Sequence, residues 1–193
     1  RANQVHRIFS IKAGMRVVVV ESPLEAEFIY WAESRPEILQ LCEQPLRVHL
    51  PHGNKPFYTF DLSLKDRAGK EIYYEIKPEK SLQPAEDGRM LPIHWEVIEA
   101  WALEDGYLVS VLTDKCLQDA RLTISNWRRL LPYLREPYLN QDKVYETQLL
   151  QFCQSAKKLK ILSIFKYFHE KEQSITIGFV GKLLHQGKLA ADL

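Results

Sequence analysis

Four side chains carry the chemistry open to this sequence: Glu25, Asp61, Glu75 and Lys77. The last three sit in two alternating stretches, Phe57 to Leu64 and Glu71 to Pro78, separated by a break at Lys65 to Lys70. Period-two alternation marks strands with one buried face. A hairpin whose loop is Arg67-Ala68-Gly69 sets Phe60 against Ile76 and Leu62 against Tyr74, with Gly69 in the left-handed position such loops need. Tyr58, Phe60, Leu62, Leu64, Ile72, Tyr74 and Ile76 then share the apolar side. On the other side Asp61 faces Glu75, and Lys77 faces Thr59. Two carboxylates and an ammonium on one face make a candidate metal site. A solvated sheet face with alternating charge is the plain alternative.

Together the four residues have the form E…D…E-x-K. Mg²⁺ is a hard ion that binds carboxylate oxygen and keeps several waters, so converging carboxylates leave positions for phosphate and nucleophile. The metal polarises a phosphodiester and lowers the pKa of a bound water. A lysine two residues along a strand points to the same side, where it can orient that water and offset negative charge on the phosphorane. The D-x₁₃-E-x-K spacing alone recurs by chance. It gains weight here because the acid and the E-x-K occupy consecutive strands and a helix acid precedes them. Glu25 has a structural alternative: it is the third helical residue after Ser22, where a carboxylate closes a capping box.

Composition narrows the class. The chain has 193 residues, 46% hydrophobic and 26% charged, as an ordinary globular protein does. A net charge of +1 argues against a bulk polybasic mechanism. Residues 140–193 hold eight Lys, no Arg and five acids, so charge is mildly polarised towards that end. Three cysteines far apart, Cys42, Cys116 and Cys153, suit a reducing compartment better than a disulfide framework or zinc knuckle. No apolar run approaches the roughly 20 residues of a membrane helix, and no signal-peptide pattern is present. The expected location is the cytoplasm, and because the chain begins at Arg1 without Met, further residues upstream are expected.

The elements that must position the four residues follow in order. Val5 to Val20 predicts two strands about a turn at Ala13-Gly14. Ser22-Pro23 opens a helix with Leu24, Phe28 and Trp31 on its apolar stripe, and Pro36 lies past its end. Leu46 to Leu50 alternates as a strand, and Pro51 to Pro56 is a loop. Glu79 to Pro92 reads as a flexible polar loop beside Lys77. Ile93 to Glu104 is a helix, Tyr107 to Leu112 a strand, and Thr123 to Leu134 a helix with Ile124, Trp127, Leu130 and Leu131 inward. These elements give an α/β core of mixed sheet with flanking helices, and no glycine-rich phosphate loop follows any strand. From Asn140 onward the pattern is helical: Val144 to Gln154, Lys158 to Glu170 and Thr176 to Gly187. That region suits a winged-helix module with Gly187-Lys188-Leu189 leading to the wing, or equally a helical docking bundle.

The sequence resembles the TnsA endonuclease subunit of heteromeric (TnsABC) transposons, including CRISPR-associated ones. The resemblance lies in Val5 to Ser10, Glu21-Ser22-Pro23-Leu24-Glu25-Ala26-Glu27-Phe28, Glu43-Gln44-Pro45, Tyr58-Thr59-Phe60-Asp61, Glu75-Ile76-Lys77-Pro78 and Thr113-Asp114-Lys115. Phe60 stands where many members have proline. The resemblance implies a restriction-endonuclease-like nuclease domain over residues 1–139 and a winged-helix-like C-terminal domain over 140–193. It implies Mg²⁺-dependent cleavage of the 5′ (non-transferred) strands at transposon ends, with Mn²⁺ able to substitute. Glu25, Asp61 and Glu75 would hold metal and Lys77 would be the catalytic lysine; Glu99, or less well Glu96, would add an outer carboxylate. The implied partners are double-stranded DNA at transposon ends, a TnsB-type recombinase and a TnsC-type ATPase regulator, in a bacterial, nucleoid-associated setting. Two other readings stand beside it: a restriction or repair nuclease of the same fold, and a non-catalytic scaffold for DNA and partner proteins.

Overall fold

A hairpin and a capped helix lead into the sheet that carries the candidate residues. The structure is a computed structural model that describes residues 4–49, 57–156 and 158–191. Strands β1 (His6–Ser10) and β2 (Arg16–Val20) pair antiparallel around a turn in which Gly14 has φ +84°. Helix α1 (Pro23–Ser34) starts where Pro23 removes a backbone donor that would have no partner, and the Ser22 hydroxyl accepts from the Glu25 amide at 3.2 Å.

Four strands form the central mixed sheet, in the order β10 (Val109–Leu112), β7 (Glu71–Ile76), β6 (Leu62–Asp66) and β3 (Ile38–Glu43). β10 runs parallel to β7, while β7–β6 and β6–β3 are antiparallel. The β6–β7 hairpin has the expected register: Leu62 faces Tyr74, Leu64 faces Ile72, and Gly69 takes φ +82°. The expected first arm, however, is not one strand. At Phe60 the chain changes partners: the Phe60 amide donates to the Leu46 carbonyl and the Asp61 amide to the Tyr74 carbonyl. Residues before that point form β5 (Phe57–Thr59), which pairs with β4 (Arg47–His49) in a separate ribbon. Lys77 and Thr59 are therefore not a ladder pair. Leu50, the end of the strand expected there, and the loop Pro51–Pro56 lie outside the described residues.

Each face of the sheet is covered by helix. Leu41, Leu62, Leu64 and Ile76 pack with Phe28 and Ile29 of α1 and with Trp127, Leu131 and Leu134 of α3 (Arg121–Leu139). On the opposite side Phe60 and Val48 pack with Trp95 and Ile98 of α2 (Trp95–Asp105), and Tyr73, Val109 and Val111 line the same cluster. The segment from Glu79 to Pro92, expected to be irregular, holds a 3₁₀ turn at Glu79–Ser81 and a small hairpin of β8 (Gln83–Pro84) and β9 (Met90–Leu91). α3 runs through Pro132 and Pro137, five residues beyond its expected end, because Leu134 and Pro137 are both buried and packing outweighs the prolines' missing donors.

Three helices follow as expected: α4 (Lys143–Gln154), α5 (Ile161–Tyr167) and α6 (Gln173–His185). Tyr145, Leu149, Ile164, Phe179 and Leu183 make their shared core. α6 also lies close along α3. A Cβ on Gly178 would come within 2.5 Å of the Tyr133 carbonyl oxygen, and one on Gly181 within 2.6 Å of the Leu134 side chain. The wing strand expected at Gly187 to Leu189 is not formed. Gly187 turns the helix off at φ +72°, and the Lys188 and Leu189 amides fold back onto the Leu183 carbonyl. The observed architecture is mixed α/β, with a mixed sheet and, among the described residues, six α-helices. Among those residues no helix is long and apolar enough to cross a membrane.

Candidate active site

The change of partners at Phe60 brings the acids together. Asp61 follows that break, and its Oδ2 accepts from the Ile76 amide at 2.8 Å, so the side chain takes the backbone donor at the end of β7. Glu75, one residue before, is 6% exposed. Both of its oxygens are engaged: one accepts from the Tyr58 hydroxyl, the other pairs with the Lys77 ammonium. The same ammonium lies 3.8 Å from Asp61 Oδ2. Asp61, Glu75 and Lys77 thus form one cluster at the C-terminal end of β7, and Lys77 is the cation both acids share.

The electrostatics are those of two carboxylates held close in poor contact with water. Burial, followed by the Glu75 charge, pushes the Asp61 carboxyl up to about 7 from its ordinary 3.8; the Ile76 amide and Lys77 oppose the rise, and Glu25 adds to it. Burial would lower the Lys77 ammonium, but the Glu75 bond and the charges of Glu75, Asp61 and Glu25 outweigh it and hold Lys77 above its ordinary value. Burial and the neighbouring acids likewise raise the Tyr58 phenol, which stays a hydrogen-bond donor at physiological pH.

The other two expected ligands are placed differently. Glu25 closes the cap of α1: its carboxylate accepts from the Ser22 hydroxyl at 2.6 Å and from the Glu21 amide at 3.2 Å. It is near enough for its charge to be felt at Asp61 and Lys77. Glu99 is held by both guanidinium nitrogens of Arg89 at 2.8 Å and by the Trp95 indole at 3.0 Å, contacts that keep its carboxyl below the ordinary range. Glu96 is exposed on the same helix. Among the described residues no three His, Cys, Asp or Glu side chains gather as a metal-holding group. The donor chemistry that remains fits a hard divalent ion: two close carboxylates, one with a raised proton affinity, suit an ion that binds through one or two carboxylates and keeps its waters.

Two features escape the sequence reading. Alternation puts Tyr58 on the apolar side of a continuous strand; the break at Phe60 turns its hydroxyl to Glu75 while its ring stays edge-on to Phe60 at 5.0 Å. The second is a buried polar chain away from the cluster. Glu33, fully buried, accepts from the Ser10 hydroxyl at 2.5 Å and the Lys12 amide at 3.1 Å, and its other oxygen meets His185 Nε2 at 2.7 Å. His185 Nδ1 in turn meets the Tyr138 hydroxyl at 2.6 Å. A glutamate four residues after Ile29, on the buried face of α1, is the available signal.

Among known proteins, the chain is similar to the head completion nuclease of Enterobacteria phage T4, with 31% identity over 70 residues, 35% of this chain and 47% of that protein. The chain thus spans about half the length of the curated relative it matches. No protein-family model matches it.

Proposed function

We propose that this chain is a metal-dependent DNA endonuclease with an α/β nuclease-like core, and that Asp61, Glu75 and Lys77 carry the reaction. One observation carries the reading: an aspartate with a raised carboxyl pKa, a buried glutamate and a lysine share one cluster at a strand end. Similarity to a protein named as a nuclease supports it. Asp61 and Glu75 are the residues that would hold Mg²⁺, or Mn²⁺ in its place, with Glu25 the nearest further acid. Such an ion supplies a Lewis acid for the phosphodiester and a water of lowered pKa. Glu75 is already oriented, because Tyr58 and Lys77 fix both of its oxygens. Lys77 keeps its proton, so it can hold a water by hydrogen bond and offer positive charge to the phosphate oxygens as they gain negative charge.

The finer form of the proposal is TnsA-like: cleavage of the 5′ strands at transposon ends, beside a TnsB-type recombinase and a TnsC-type regulator. The E…D…E-x-K order and the resemblance of the flanking segments support that form. The phage relative favours a second reading, a nuclease that acts on DNA outside transposition. Strand-specific nicking of a transposon-end duplex, run beside an unrelated duplex with Mg²⁺ and with EDTA, decides between them. Equal cleavage of both duplexes removes the transposon form, and cleavage that persists in EDTA removes the metal.

A further inference from the structure

We infer that Tyr58 is a positioning residue for Glu75, a role that rests on the nuclease reading of this cluster. The tyrosine comes from neither β6 nor β7. It is carried in by the β4–β5 ribbon, where it faces Val48, and so reaches the cluster from a sheet separate from the one that bears Glu75. Its ring is fixed by Phe60, itself fully buried, at a centroid distance of 5.0 Å and an interplanar angle of 86°. Its hydroxyl donates to Glu75 Oε2, while Oε1 pairs with Lys77.

The division of the two oxygens has a chemical consequence. A free carboxylate beside a cation can swing between one-oxygen and two-oxygen contact. A donor anchored in a packed aromatic cluster fixes the plane of the Glu75 carboxylate and leaves Oε1 turned to the side where Lys77 and Asp61 lie. Outer hydrogen bonds of this kind set the orientation and basicity of a ligand, and their loss typically costs about 10- to 100-fold in metal affinity or rate. Tyr58 therefore acts through Glu75 and touches no reacting atom.

The test uses the full chain and Tyr58→Phe, which keeps the ring against Phe60 and removes only the hydroxyl. Mn²⁺ affinity is measured by calorimetric titration without DNA, and kcat and KM are measured on a cleavable duplex across pH. The expected result is Mn²⁺ affinity or kcat lowered about 10- to 100-fold, KM for DNA unchanged, an altered kcat–pH profile and an unchanged far-ultraviolet spectrum. Agreement between the Tyr58→Phe variant and the parent in Mn²⁺ affinity, kcat and pH profile would overturn the role of Tyr58 while leaving the nuclease reading in place. A parent that binds Mn²⁺ without cleaving DNA leaves the affinity comparison to decide. A parent that neither cleaves nor binds Mn²⁺ would overturn the nuclease reading, and this inference with it.

Discussion

Replacing Asp61 with Asn should stabilise the metal-free protein while removing its response to metal. The carboxyl pKa is about 7 in the folded chain against an ordinary 3.8, a gap of about 4 kcal/mol between the protonation states. A carboxyl raised in this way adds stability that is fully present below the unfolded value and is lost as pH rises through about 7. Asn keeps an oxygen for the Ile76 amide, which donates to Asp61 at 2.8 Å, but it must also bury an amide nitrogen beside Lys77. We therefore expect a net gain of about 1–2 kcal/mol at pH 8, or about 3–6 °C in melting temperature for a chain of this size. The gain should shrink as pH falls from 7 towards 4, where the parent is protonated too. Mg²⁺ at tenfold its dissociation constant should stabilise the parent by about 1.4 kcal/mol and the variant by nothing. Thermal unfolding across pH 4.5–8, with and without Mg²⁺, reads all of this. A variant less stable than the parent at pH 8, or one that gains as much from Mg²⁺, would refute the argument.

Lys77→Ala should leave Mg²⁺ affinity nearly intact and lower cleavage by about 10²–10³, read as single-turnover rates on each labelled strand. His185→Ala should cost about 1–3 kcal/mol in urea unfolding, because one oxygen of the fully buried Glu33 loses its partner at 2.7 Å while Ser10 and Lys12 stay on the other. Gly178→Ala should destabilise more than Gly181→Ala, by calorimetry, since the first meets a backbone carbonyl at 2.5 Å and the second the end of a leucine at 2.6 Å; overpacking of this kind costs about 1–3 kcal/mol. Equal losses at the two glycines would place the close approach elsewhere.

Much of this arrangement is legible in the residues. Alternation from Leu62 to Ile76, with Gly69 at the turn, suffices for the hairpin register, because a one-residue slip would turn every apolar side chain to the opposite face of the sheet. Proximity of Asp61, Glu75 and Lys77 follows from it. Alternation cannot reveal the break at Phe60, since Tyr58 and Phe60 are apolar enough to continue the pattern while their backbone pairs with another ribbon. That is why the contact of the Tyr58 hydroxyl stays hidden. Strand β3 is hidden for a related reason: Ile38 to Glu43 does not alternate cleanly, and its pairing with β6 shifts register between Ile38 and Gln40. The wing strand fails at Gly187, where a left-handed cap and the packing of Leu189 onto the helical core turn the chain back. The cap role of Glu25 is legible in its spacing from Ser22, but that of Glu99 is not, because pairing with Arg89 depends on a contact that leaves no period in the sequence.

The contact between Glu33 and His185 joins residues 152 positions apart in the chain. Ordering so long a loop costs entropy before the contact returns anything, so its formation belongs late in folding. During synthesis from the ribosome α1 emerges well before α6, so Glu33 lacks its His185 partner until the later helix is made. The part of the α1 face around Glu33 therefore closes only once α6 is made, and a ribosome stalled before α6 would carry a nascent chain whose α/β core still shows water a glutamate meant for its interior.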